Sequence, residues 1–153
     1  MDIKSCCIIE RQDIPADKLE YVKSELEREI RLAIKDGYTH FISGFDQGTG
    51  LIFASIVADL MEEYPVLTLE AAIPYRGRMD TPDPLFHQLL GKCQTIGIHC
   101  DEYKPSCFRI RNRFMVSHSQ RVIAVYDGPN AGGTFFTVWL TQSQFREVRI
   151  IRI

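Results

Sequence analysis

Apolar and polar residues follow two rhythms along this chain, and the changes between them divide it into strands and helices. Short continuous apolar runs predict buried strands at Ser5–Ile9, Tyr38–Ser43, Val66–Ile73 and Arg121–Tyr126. A weaker strand is predicted at Thr95–His99 and a final one at Glu147–Ile153. The 3.6-residue spacing of Leu19, Val22, Leu26, Ile30 and Ala33-Ile34 predicts a helix over Ala16–Asp36, stopped by Gly37. Its other face (Lys18, Glu20, Lys23, Glu25, Glu27, Arg28) reads as solvated surface. Further helices are predicted at Thr49–Tyr64, Leu85–Cys93, Cys107–Ser119 and Thr134–Gln144. The first of these is strongly apolar and ended by Pro65; in Cys107–Ser119, Phe108, Ile110, Phe114 and Met115 are expected to face inward. Pro74–Pro84, with its prolines, and Asp101–Pro105 read as loops.

Strands alternating with helices require right-handed crossovers, hence a mostly parallel twisted sheet with helices on both faces. The expected fold is α/β: one Rossmann-like domain spanning residues 1–153, without repeats, linkers or low-complexity tracts.

Composition fits that picture. A chain of 153 residues, 45% hydrophobic and 25% charged, is long enough for one well-buried core. The net charge of −2 gives no general attraction to nucleic acid or anionic membranes, so neither is expected as a partner. No apolar run reaches about 18 residues, and the N-terminus lacks a signal-peptide layout, so the cytoplasm is the expected location. Cys6 and Cys7 fall in a strand as small buried hydrophobes. Cys93, Cys100 and Cys107 recur every seven residues near His87 and His99, without the short paired spacing of zinc sites. Reduced thiols, no metal and no cofactor are expected.

Two glycine-rich loops carry the candidate chemistry. One runs from Phe41 through Gly44, Phe45, Asp46, Gly48 and Thr49 to Gly50; the other from Val125 through Asp127, Gly128, Gly132 and Gly133 to Thr134. Each stands where a strand hands over to a helix. Glycine admits close backbone approach, and free N–H groups at a helix start favour anions. On a parallel sheet both loops open on one edge, where α/β proteins bind ligands. Tight strand-to-helix packing is the competing explanation for both. Asp46 suits a ribose hydroxyl or a helix cap, and Thr134 suits a phosphate or an N-cap. Arg109, Arg111 and Arg113 spread around their helix, leaving room for one to face the ligand edge; Arg76 and Arg78 lie on a loop over the presumed mouth. Glu10, Asp46 and Asp127 are placed to converge at the sheet edge, though three anions beside a phosphate would repel it. No nucleophile with a paired base stands out, so catalytic residues are unassigned.

At these loops the chain resembles the SLOG superfamily of Rossmann-like proteins, which includes the DprA and LOG proteins, and within it the YpsA-like branch. The resemblance spans nearly the whole chain. It rests on Tyr38-Thr39-His40-Phe41-Ile42-Ser43-Gly44, Ala71-Ala72-Ile73-Pro74-Tyr75, Arg111-Asn112-Arg113-Phe114-Met115-Val116, and Ala124-Val125-Tyr126-Asp127-Gly128 through Gly132-Gly133-Thr134. It implies a nucleotide-related ligand, and it makes Arg111 with Asn112 the matching candidates for the ligand edge. The chain departs from the family where Thr-Gly-His-Arg-Pro usually follows the first strand: Ile9-Glu10-Arg11-Gln12-Asp13 stands there. It also carries Gly48-Thr49-Gly50 where Gly-Val-Asp is common, and Trp139 where an acidic residue is frequent. The glutamate that LOG enzymes carry one turn beyond Gly-Thr is missing, Phe135, Phe136 and Thr137 following Thr134 instead.

The expected function is that of a binding protein or sensor for an ADP-ribose- or nucleoside-phosphate-like nucleotide derivative, with weak or no catalysis. Two alternatives stand beside it. One is a hydrolase acting on an N-glycosidic or phosphate bond; the other is an interaction module with a vestigial pocket. The apolar stretch Phe135-Phe136-Thr137-Val138-Trp139-Leu140 suggests a homodimer through that helix.

Overall fold

The computed structural model describes residues 2–10, 14–126, 144 and 146–153. The strands β1 (Ser5–Glu10), β2 (His40–Ser43), β3 (Thr68–Ile73), β4 (Thr95–Ile98), β5 (Arg121–Tyr126) and β6 (Glu147–Arg152) form one sheet in the order β4-β3-β2-β1-β5-β6. Every neighbouring pair is parallel. Four helices are described: α1 (Leu19–Lys35), α2 (Thr49–Glu63), α3 (Pro84–Leu90) and α4 (Cys107–Ser117). This is a single Rossmann-like α/β domain.

Burial on both faces explains why the strands read as unbroken apolar runs. Along β1, Cys6 and Ile8 enter a large core with α1, α2 and α3, where Leu26, Phe53 and Phe86 pack. Cys7 and Ile9 enter a smaller core under α4 with Ile42, Val122, Met115 and Val116.

Several predicted boundaries shift. The first helix begins as a 3-10 turn, Ala16–Lys18, after Pro15, and becomes α-helical only at Leu19. α3 starts at Pro84, with the Asp83 carboxylate accepting from the Leu85 N–H at 3.0 Å, and ends at Leu90 before Gly91. The proline loop contains a 3-10 segment, Arg76–Asp80. In α4, Ile110 is 40% exposed, whereas Arg111 is buried in line with Cys107 and Met115. The i, i+4, i+8 stripe therefore runs through the arginine, because its guanidinium finds partners inside. Among the described residues, no helix is long and apolar enough to cross a membrane. The expected helix Thr134–Gln144, with Trp139 and its dimer face, lies outside the described residues.

Candidate functional site

The chain leaves β1 for β2, β3 and β4 on one side, then returns to β5 on the other. The order therefore switches between β1 and β5, and the carboxyl ends of strands at such a switch are the usual ligand position in open α/β sheets. Glu10, the last residue of β1, stands there opposite Val125.

The loop after β2 is shaped by its own residues. Ser43 Oγ donates to the Gly50 carbonyl at 2.7 Å and accepts from the Phe45 N–H at 3.1 Å. Phe45 takes φ 58°, a left-handed conformation that side-chain-bearing residues rarely adopt. Burial of its ring in edge contact with Phe86, centroids 5.6 Å apart, offsets that strain. Arg78 lies over the same Phe86 ring and donates from Nη2 to the Phe45 carbonyl at 3.0 Å. Gly48, at φ 88°, precedes α2 and has no side chain to cap it.

Arg111 reaches this loop from α4. Its Nη1 donates to the Gly44 carbonyl at 3.0 Å and to the Ala72 carbonyl at 3.4 Å. Nη1 and Nη2 grip the two oxygens of Asp46 at 3.3 and 2.8 Å, and Nε donates to Asn112 Oδ1 at 2.8 Å. A bidentate guanidinium–carboxylate pair of this kind is strong and directional. A methyl group on Gly44 would overlap the guanidinium. The glycine is thus required for the arginine's approach.

Glu10 completes the cluster. A Cβ on Gly50 would come within 3.0 Å of Glu10 Oε1, so the carboxyl lies against the start of α2. It shares a hydrogen bond with Asp46. Burial first, then the neighbouring Asp46 charge, push the Glu10 carboxyl well above its ordinary range, with Arg111 opposing. The result is a carboxyl of raised proton affinity beside a carboxylate that the Arg111 guanidinium grips at both oxygens. Such a group can offer acceptors to sugar hydroxyls.

The structure therefore brings together Gly44, Asp46, Arg111 and Asn112, adds Glu10, and sets Gly48 and Thr49 at the adjoining helix start. Thr49 is buried and its hydroxyl has no hydrogen-bond partner. Phe45 contributes its backbone to the loop and its ring to the core. Asp46 does not cap α2: its carboxylate goes to Arg111 and its carbonyl accepts from Leu51 at 3.1 Å. Arg76 pairs with Asp101 at 2.9 Å, while Arg109 and Arg113 are exposed. Asp127, Gly128, Gly132, Gly133 and Thr134 lie outside the described residues. The expected approach of Glu10 to Asp46 is present, while Asp127, the third carboxylate expected with them, lies outside the described residues. The signal for Glu10 was a lone acid closing an otherwise apolar strand.

Comparison with known proteins agrees with this architecture. The YpsA model, described as the YspA SLOG family, matches residues 7–150. A UPF0398 protein of Bacillus pumilus is 26% identical over 134 residues, covering 84% of this chain and 71% of its own length. A Bacillus thuringiensis counterpart is 25% identical over 126 residues, covering 78% and 68%. Among solved structures, DNA processing protein A of Helicobacter pylori shares the fold with a TM-score of 0.66 at 17% identity. The match covers 96% of this chain but 64% of that protein, so this chain spans less than two thirds of its length. The structural-genomics protein TM1055 gives a TM-score of 0.58 at 16% identity, covering 95% and 72%. The Helicobacter protein is described for its single-stranded DNA binding mode. That finding contradicts the expectation, drawn from net charge, that nucleic acid is an unlikely partner. Net charge sums over the whole surface and does not report where charges gather.

Proposed function

The chain belongs to the YpsA family of SLOG proteins, and from that premise we propose that it binds a nucleotide derivative of the ADP-ribose or nucleoside-phosphate type at the carboxyl edge of its sheet. The observation that carries this reading is the Glu10–Asp46–Arg111 cluster at the carboxyl end of β1, beside the switch in strand order. Arg111 is buried and committed to the Gly44 and Ala72 carbonyls and to Asp46, so the half-buried Asp46 carboxylate is held fixed beside Glu10 at the strand ends. Asp46 keeps acceptor capacity beyond its two bonds to Arg111, which suits a ribose diol. Calorimetric titration with AMP, NAD, ADP-ribose and ribose 5-phosphate tests the reading. At least one should bind, and Asp46→Asn should weaken it about tenfold or more, as expected for a lost charged hydrogen bond. An empty panel, or full affinity in Asp46→Asn, would overturn it.

A second reading, hydrolysis of an N-glycosidic or phosphate bond, is favoured by one specific feature. Glu10, its carboxyl pushed above the ordinary range by burial, stands beside the Asp46 carboxylate, a pairing that suits general acid–base chemistry. Turnover of a bound nucleotide should then be lost in both Glu10→Gln and Asp46→Asn. Hydrolysis persisting in both variants would remove the assignment.

A further inference from the structure

The charged cluster adjoins an aromatic surface that core packing does not explain. Tyr75, just beyond β3, meets Tyr103 with ring centroids 5.1 Å apart and planes at 78°. It meets Phe108, in the first turn of α4, at 6.3 Å and 78°. None of the three rings belongs to either hydrophobic core, and Tyr103 is 62% exposed. The Arg111 guanidinium lies 5.6 Å over the Phe108 ring while it holds Asp46. One arginine thus joins the aromatic surface to the site carboxylate.

The loop that presents Tyr103 is fastened on both sides. The Arg76 N–H donates to the Cys100 carbonyl at 3.0 Å, and Arg76 Nη2 to Asp101 Oδ1 at 2.9 Å. The Lys104 N–H donates to Cys107 Sγ at 3.3 Å, and that thiol donates to the Glu102 carbonyl at 3.5 Å. An exposed ring held in place loses little freedom on binding a flat partner. Aromatic rings stack nucleobases of any identity, because every base has a π face.

We propose that Tyr103, backed by Tyr75 and Phe108, is the base-stacking platform of this site. The ligand's base lies on Tyr103, and its sugar portion extends past Arg111 to Asp46. This rests on the nucleotide reading above and adds the position of the base. It predicts discrimination for ligands that carry a base over sugar phosphates that lack one, with tolerance toward which base it is.

Titration of ADP-ribose and ribose 5-phosphate into the full chain and its Tyr103→Ala, Tyr103→Phe and Asp46→Asn variants provides the test. In the unaltered chain, ADP-ribose should bind about tenfold or more tighter than ribose 5-phosphate. Tyr103→Ala should erase that margin without changing ribose 5-phosphate affinity, and Tyr103→Phe should keep it. The exposure of Tyr103 makes a folding defect in these variants unexpected, and circular dichroism checks it. If Tyr103→Ala leaves ADP-ribose affinity intact while Asp46→Asn lowers it, the platform is overturned and the site stands. If neither ligand binds the unaltered chain, the nucleotide reading falls and the platform with it. A single-stranded oligonucleotide that binds through Tyr103 while ADP-ribose does not would overturn the free-nucleotide form in favour of a polynucleotide.

Discussion

Gly44 and Gly48 look alike in sequence but are needed for different reasons, and substitution separates them. Gly44→Ala drives a methyl into the Arg111 guanidinium and loosens its hold on Asp46 and two carbonyls, a loss expected to cost about 2–4 kcal/mol. Gly48→Ala meets nothing within 4 Å but must adopt φ 88°, costing only about 1–2 kcal/mol. Urea denaturation of the two variants checks the order. Glu10 makes a pH-dependent prediction. Its folded-state carboxyl titrates well above the ordinary value of 4.5, so the folded chain keeps a proton that the unfolded chain has lost. The associated stability is fully present below that ordinary range and drains away as pH rises toward the folded value. Glu10→Gln, which cannot ionise, should match the parent chain near pH 4.5 and melt a few degrees higher at pH 8 in thermal scans.

Helix α1 shows the same logic one level up. Its apolar stripe was legible as written, yet Glu29 also lies on the buried face, its side chain 4% exposed. Both Glu29 oxygens accept from Arg149 of β6 at 2.8–3.0 Å, tying the helix to a strand that is distant in sequence. Arg149 is 37% exposed, which screens the pair, so Glu29→Ala should cost about 1–3 kcal/mol. A double-mutant cycle with Arg149→Ala, read by denaturation, should show positive coupling. Periodicity located the strand and helix segments that are described, because hydrophobic burial dominates their placement. It misplaced Ile110 and missed Glu29 and the burial of Arg111, since a charged residue enters the interior only where a partner stands, and that partner lies far away in the chain. The glycine loop after β2 was legible for the same local reason that its use was not. Glycine reports that something comes close, while only the fold reveals that the visitors at Gly44 and Gly50 are Arg111 and Glu10.

For the molecule as a whole, the departure at Glu10 has a structural counterpart. Where the family usually places a glycine, this chain has a carboxyl that lies over Gly50 and beside Asp46, so the altered strand end and the β2–α2 loop adjoin. The sheet order carries a consequence of another kind, for the growing chain. Ser5 pairs with His40 in β2, but its N–H bonds the side chain of Gln120, 115 positions further on. As synthesis proceeds, β1 to β4 can assemble while the opposite edge of β1 stays open, with apolar residues on both faces. Such an edge is a template for any passing strand, and parallel pairing over this span is slow. Until β5 leaves the ribosome and docks, the centre of the finished sheet is the most aggregation-exposed border of the nascent protein.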